Sequence, residues 1–138
     1  MNTNTTAALT LLAASTIPTT IYAHGGDDHT KAWNAPAGAA ARPNPMSSSS
    51  ENIARGKILY ETFCKQCHGV DATGVGPGSG LIRGKSTNLT YSADHHTAGD
   101  LFWKIRTGRS AMPSYKLVFK KKQVWEMVTY IKTLAAKE

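Results

Sequence analysis

Cysteine is scarce in this chain. It occurs only at Cys64 and Cys67, so whatever those two residues do leaves no pair for a structural disulfide and no spare thiol. Long apolar runs are missing as well. The patch from Ala7 to Ala14 falls well short of the ~20 residues that a bilayer-crossing helix needs. Residues 1–23 lack any charged side chain and read as a secretory signal peptide, with Ile21-Tyr22-Ala23 as a loose small-x-small cleavage site. An uncleaved membrane tether is the alternative. Acidic residues are outnumbered, 9 Asp and Glu against 16 Lys and Arg. The net charge of +7 lies wholly beyond residue 50, because two bases and two acids cancel before it. A basic balance of this kind suits nucleic acid, anionic lipid or an acidic protein partner.

What is present is Cys64-Lys65-Gln66-Cys67-His68. Read as C-x-x-C-H, it is a haem c attachment signal: two thiols add to the vinyl groups of one porphyrin, and the adjoining imidazole ligates the iron. In a helix, residues three apart share a face, so both sulfurs reach one macrocycle. A thioredoxin-like dithiol would need a βαβ frame, and no run of β-branched strand residues flanks the pair. A structural zinc site would need four ligands, and the adjacent histidine does not follow zinc-finger spacing even with His95 and His96 recruited. A second axial ligand is offered by Met112 in the loop Thr107-Gly108-Arg109-Ser110-Ala111-Met112-Pro113, where a thioether would favour the ferrous state. Pro113 stiffens that loop. His95 and His96 compete for the same position, but they stand in a polar turn; Met46 and Met127 read as linker and helix-core residues.

Gly56, Tyr60, Cys64, Cys67, His68, Gly69, Gly74, Gly76, Pro77, Leu81, Gly108, Met112, Pro113 and Tyr130 follow one another in an order that resembles class I, single-haem cytochromes c. The likeness is nearest to the small soluble proteins and the cbb3-type modules, and it covers residues 51–138. It implies an all-α fold with three main helices and glycine-rich loops around one covalently bound haem c per chain. It also implies that the first and last helices cross near Gly56, with Tyr130 meeting Gly56 and Tyr60. A backbone carbonyl near Pro77 would accept the proton of the other nitrogen of His68, fixing the ring and raising its basicity. Maturation of such proteins beyond the bacterial inner membrane points to a periplasmic location.

Along the chain, residues 24–50 are Ala-, Pro- and Ser-rich and read as a flexible linker. If cleavage follows Ala23, the new amino terminus, His24 and His29 form a possible copper chelate, against the plainer reading of a solvated tail. Ser48-x-x-Glu51 has capping-box form, so a helix should run from near Ser49 to about Thr62. Gly56 inside it costs about 1 kcal/mol relative to Ala, which implies that another backbone passes close. The glycines from Gly69 to Gly80 suit close approach of main chain to a porphyrin. As a phosphate cradle they lack a strand-loop-helix frame.

Thr97-x-x-Asp100 opens a second helix through Thr107, closed by Gly108. Trp103 and Arg106 on it are candidate donors to the haem propionates, with packing and solvation as the plain alternative. A last helix spans Lys121 to about Ala136, its inward face set by Val124, Met127, Val128 and Ile131. Three lysines, Lys120 to Lys122, crowd its positive end.

These readings describe an electron carrier whose iron has both axial positions filled, with no small-molecule substrate and no nucleic acid. Lys65, Lys85, Lys116, Lys120, Lys121 and Lys122 would steer acidic redox partners to the haem edge. The alternatives are a haem subunit tethered to a dehydrogenase or oxidase, and a peroxidase-like enzyme with a labile Met112.

Overall fold

Ser49 begins the first long helix: its hydroxyl accepts from the Asn52 amide at 3.3 Å, so the cap sits one residue beyond the Ser48-x-x-Glu51 box. The computed structural model describes residues 33–81 and 86–135. Within them the chain is helical, with α1 (Ala37–Ala40), α2 (Ser50–Phe63), α3 (Lys65–His68), α4 (Leu89–His95), α5 (Ala98–Thr107) and α6 (Lys121–Lys132), plus one 3-10 turn at Ser79–Leu81. The only extended pairing among the described residues is an isolated bridge between Arg109 and Met112. The fold is all-α, with α2, α5 and α6 as its three main helices.

Helix α2 crosses α6 at Gly56. A Cβ there would lie 2.0 Å from the Glu126 carbonyl oxygen and 2.9 Å from Tyr130 Cβ, so only glycine lets the two backbones meet. The crossing is reinforced on both sides. The Tyr60 and Tyr130 rings stand 5.4 Å apart, and the buried Glu126 carboxylate pairs with Lys122 and, at 3.4 Å across the helices, with Arg55 Nε. Tyr60, Val124, Met127 and Val128 are wholly buried in the core between these helices and α5. Phe102 of α5 stacks on Trp125 of α6 at 4.0 Å.

Helix α5 begins and ends where its caps dictate: Thr97 Oγ1 accepts from the Asp100 amide at 3.1 Å, and Gly108 closes the helix at φ 67°. Helix α6 stops at Lys132, short of Ala136. Thr133 turns its hydroxyl back on the Tyr130 carbonyl at 2.6 Å, and the Thr133 and Leu134 amides tighten to i−3 acceptors. Leu89–His95 forms a further helix, capped by Asn88 and held at its end by Lys132 Nζ on the Ala93 carbonyl.

The linker is the larger correction. Residues 24–32 lie outside the described part, as do the signal segment and His29, but residues 33–50 are docked on the domain rather than free. The Ala35 amide donates to Asp100 Oδ1 at 2.6 Å, Thr97 Oγ1 donates to the Ala40 carbonyl at 2.6 Å, and Asn44 Nδ2 donates to Thr129 Oγ1 at 2.9 Å. Trp33 packs edge-on against Trp103 at 6.4 Å, and Met46 joins the core. Gly99 permits this, since a Cβ there would sit 2.2 Å from the Ala39 carbonyl oxygen. A segment without apolar periodicity is held by backbone hydrogen bonds to a partner surface, which periodicity does not register.

Candidate functional site

The two cysteines and His68 sit on and beside α3, one helical turn that follows directly from α2. The amides of Cys67 and His68 both donate to the Cys64 carbonyl, at 3.1 and 2.9 Å, which winds the three side chains round a single turn. Both thiols are free and partly exposed. Burial, and then Cys67, push the Cys64 thiol up to about 12, so it stays protonated. Tyr60 fastens this turn to α2 by donating its hydroxyl to the Gly69 carbonyl at 2.6 Å.

His68 Nδ1 lies 3.0 Å from the Thr87 carbonyl oxygen. A carbonyl only accepts, so Nδ1 carries the proton and Nε2 keeps its lone pair for a metal. Burial lowers the pKa of His68, partly opposed by the Thr87 bond, which keeps the ring neutral as ligation requires. The acceptor differs from the one expected at Pro77. Pro77 is exposed on the loop before the 3-10 turn, while Thr87 comes from the chain returning toward α4. Gly74 brings that return close: at φ 90° it lies where a Cβ would be 2.2 Å from the Ser86 carbonyl oxygen.

Met112 is half-buried against the core in a tight turn, its amide donating to the Arg109 carbonyl at 3.0 Å and its carbonyl accepting from the Arg109 amide at 2.9 Å. Three residues on, Tyr115 ties this turn to the attachment segment. Its amide donates to the Ile105 carbonyl at 3.2 Å, and its hydroxyl lies 3.3 Å from the Phe63 carbonyl, immediately before Cys64. Sequence reasoning missed Thr87 and Tyr115; the only signal for the latter was an aromatic shortly after Met112. The rival histidines are engaged elsewhere. His95 stacks on Tyr91 at 3.8 Å, and His96 Nδ1 pairs with Asp100 Oδ2 at 2.7 Å.

Family comparison settles what this motif belongs to. A family model described as cytochrome c oxidase, cbb3-type, subunit III, matches residues 51–131. The chain belongs to this family of c-type cytochromes. Among solved structures, the cytochrome is similar to a chain of the Kuenenia stuttgartiensis reducing HAO-like protein complex Kustc0457/Kustc0458, at 24% identity and a TM-score of 0.60. That match covers 67% of this chain and 47% of the other, so the cytochrome spans about half the length of its structural neighbour and shares its fold. No curated protein matches the sequence.

The residues of the cytochrome fit a covalent haem. Two partly exposed thiols stand three residues apart on one helical turn, a neutral imidazole is oriented by its far nitrogen, and a half-buried thioether is anchored through Tyr115 to the same segment. Large apolar side chains are exposed around both loops: Phe63, Val70, Val75 and Leu81 about the attachment turn, Leu117 and Val118 after Met112. Apolar surface of this extent suits a large apolar cofactor. Among the described residues no group of three or more His, Cys, Asp or Glu gathers to hold a metal without a macrocycle.

Trp103 packs against Trp33 of the docked arm, and the Arg106 guanidinium lies 5.6 Å from the Phe102 ring centroid. Lys65, Lys116, Lys120, Lys121 and Lys122 are exposed, and Lys85 is outside the described residues. No helix among the described residues is long and apolar enough to cross a membrane.

Proposed function

We propose that this cytochrome transfers electrons through a single haem c held by Cys64 and Cys67, with His68 and Met112 as axial ligands, between exported redox proteins of the periplasm. The observation that supports the reading is the hydrogen bond from His68 Nδ1 to the Thr87 carbonyl, which leaves the Nε2 lone pair open to a metal. When bound, the haem supplies a one-electron couple. The protein's part is to fix the imidazole, hold the thioether and keep a dry, apolar wall about the macrocycle. Ligation by both His68 and Met112 would leave no vacancy for a substrate, so we read the protein as a carrier and not an enzyme.

Acidic redox partners are the expected dockers, because Lys65, Lys116, Lys120 and Lys121 are exposed, beside a Lys122 that is paired with Glu126, and give the surface a net positive charge that steers association. The intact mass of the mature protein, with its visible spectrum, tests the whole reading. One haem added, a leader removed and a ferric sulfur-to-iron charge-transfer band are expected. A colourless exported chain would overturn the haem reading, whereas ready binding of carbon monoxide or cyanide would favour the peroxidase-like alternative. The family's description as an oxidase subunit keeps a tethered-subunit role open; co-purification with an oxidase or dehydrogenase at low salt distinguishes it.

A further inference from the structure

Four cations converge on one cleft. Arg42 of the docked arm, Arg106 of α5, Lys116 of the loop after Met112 and Lys121 at the start of α6 line a concave space of about 300 Å³, with Phe102 and Trp103 as aromatic walls. These residues come from four separate parts of the chain. None of the four cations forms an ion pair among the described residues; the ion pairs that are formed engage Arg55, Lys57, Lys104 and Lys122. No acidic residue lines the cleft.

The positive end of α6 adds to the same field, since its first turn contains no acidic residue. Four charges without an ion-pair partner among the described residues, gathered round one hollow, repel one another. A multiply charged anion relieves that repulsion. A volume of about 300 Å³ is at the small end of small-molecule sites. Two arginine forks match phosphate oxygens pairwise, a geometry that a single partner carboxylate would not exhaust.

We infer that this cleft binds a small multivalent oxyanion of the phosphate or polyphosphate class, with Arg42, Arg106, Lys116 and Lys121 as its cationic partners and Trp103 as a wall. The site requires the docked arm, because Arg42 belongs to it. It does not rest on the electron-transfer reading.

The test uses full-length, haem-loaded protein titrated with inorganic pyrophosphate at constant ionic strength, followed by calorimetry and by the amide and indole NMR signals. Saturable one-site binding is expected, with shifts at Trp103, Arg106 and Lys121. Arg106→Gln combined with Lys121→Gln should weaken it roughly a hundredfold, each lost charge-assisted bond being worth about tenfold. Lys57→Gln, on α2, should leave it unchanged, and an unaltered visible spectrum and melting temperature would show that the variants fold.

Vesicles of phosphatidylglycerol in phosphatidylcholine separate the two sources of the anion. Sedimentation that pyrophosphate competes away, and that the double variant loses, assigns the phosphate to a lipid headgroup; pyrophosphate binding without sedimentation assigns it to a free anion. Shifts that never saturate and spread over every lysine would overturn the site. So would a midpoint potential that moves in Arg106→Gln while no added anion binds, because the cleft would then serve the haem propionates.

Discussion

His68 and Thr87 are joined side chain to backbone at 3.0 Å, so the orientation of the imidazole ring is set by a residue nineteen positions away. What holds the Thr87 carbonyl there is the passage of Ser86 across Gly74. Gly74→Ala should therefore push the returning chain aside and lengthen the His68 bond. A less basic imidazole favours the ferrous state, so the midpoint potential should rise, by an amount on the order of 59 mV or less, which is a factor of ten for one electron. Redox titration beside the parent protein checks it; an unchanged potential would detach Thr87 from the tuning of the site.

Met112 is the proposed sulfur ligand, and its replacement has a direct spectroscopic consequence. In Met112→Ala the ferric charge-transfer band should vanish, the potential should fall, and cyanide should bind where the parent resists it. Survival of the band would transfer the ligand role to another residue.

Gly56 faces the Glu126 carbonyl with no room for a methyl group. Gly56→Ala should cost about 1–3 kcal/mol or more through overpacking, despite the better intrinsic helix propensity of alanine. Denaturant unfolding of the haem-loaded protein measures this, and a gain in stability would contradict the crossing.

Acidification acts through His96 and Asp100. Burial lowers the pKa of His96, aided by the Lys104 ammonium, with Nζ 3.1 Å from Nδ1, and the Asp100 carboxylate does not fully offset this. For Asp100, burial pushes the pKa up, but Lys104, the Ala35 amide and His96 outweigh it and leave the pKa lowered. A lowered histidine binds its proton preferentially in the unfolded chain, so stability declines as pH falls below the ordinary value of 6.5. The lowered carboxyl adds a further loss below its ordinary 3.8. His96→Gln should flatten the stability profile immediately below pH 6.5, leaving the limb below 3.8.

The docked arm should contribute measurable stability. Asn44→Ala removes the bond to Thr129 and should cost about 1 kcal/mol. A truncation beginning at Ser47 should cost more, since it also removes the Ala35 bond to Asp100 and the Trp33 contact with Trp103. Hydrogen exchange at the α5 amides should rise in parallel; if neither quantity moves, the arm is dispensable.

Several elements were legible because their signals are local. Thr97 and Gly108 announce the ends of α5 through cap chemistry, and an interior glycine at position 56 announces a close crossing. Other features were hidden for the same reason. Helix α4 has a mixed sequence, Leu-Thr-Tyr-Ser-Ala-Asp-His, and is fixed largely from outside, by the Asn88 cap and by Lys132 on the Ala93 carbonyl.

The sequence by itself determined the chemistry: two thiols and an imidazole at fixed spacing, a methionine in a proline-stiffened loop, and the positive charge of the domain all follow from residue identity. Tertiary structure alone decided which carbonyl orients His68, where the segment before Ser50 lies, and that Arg42, Arg106, Lys116 and Lys121 share a cleft. The reason is physical. Every backbone carbonyl is chemically alike, and which one a side chain meets depends on distances set by chain return, close glycine contacts and packing across many residues of separation.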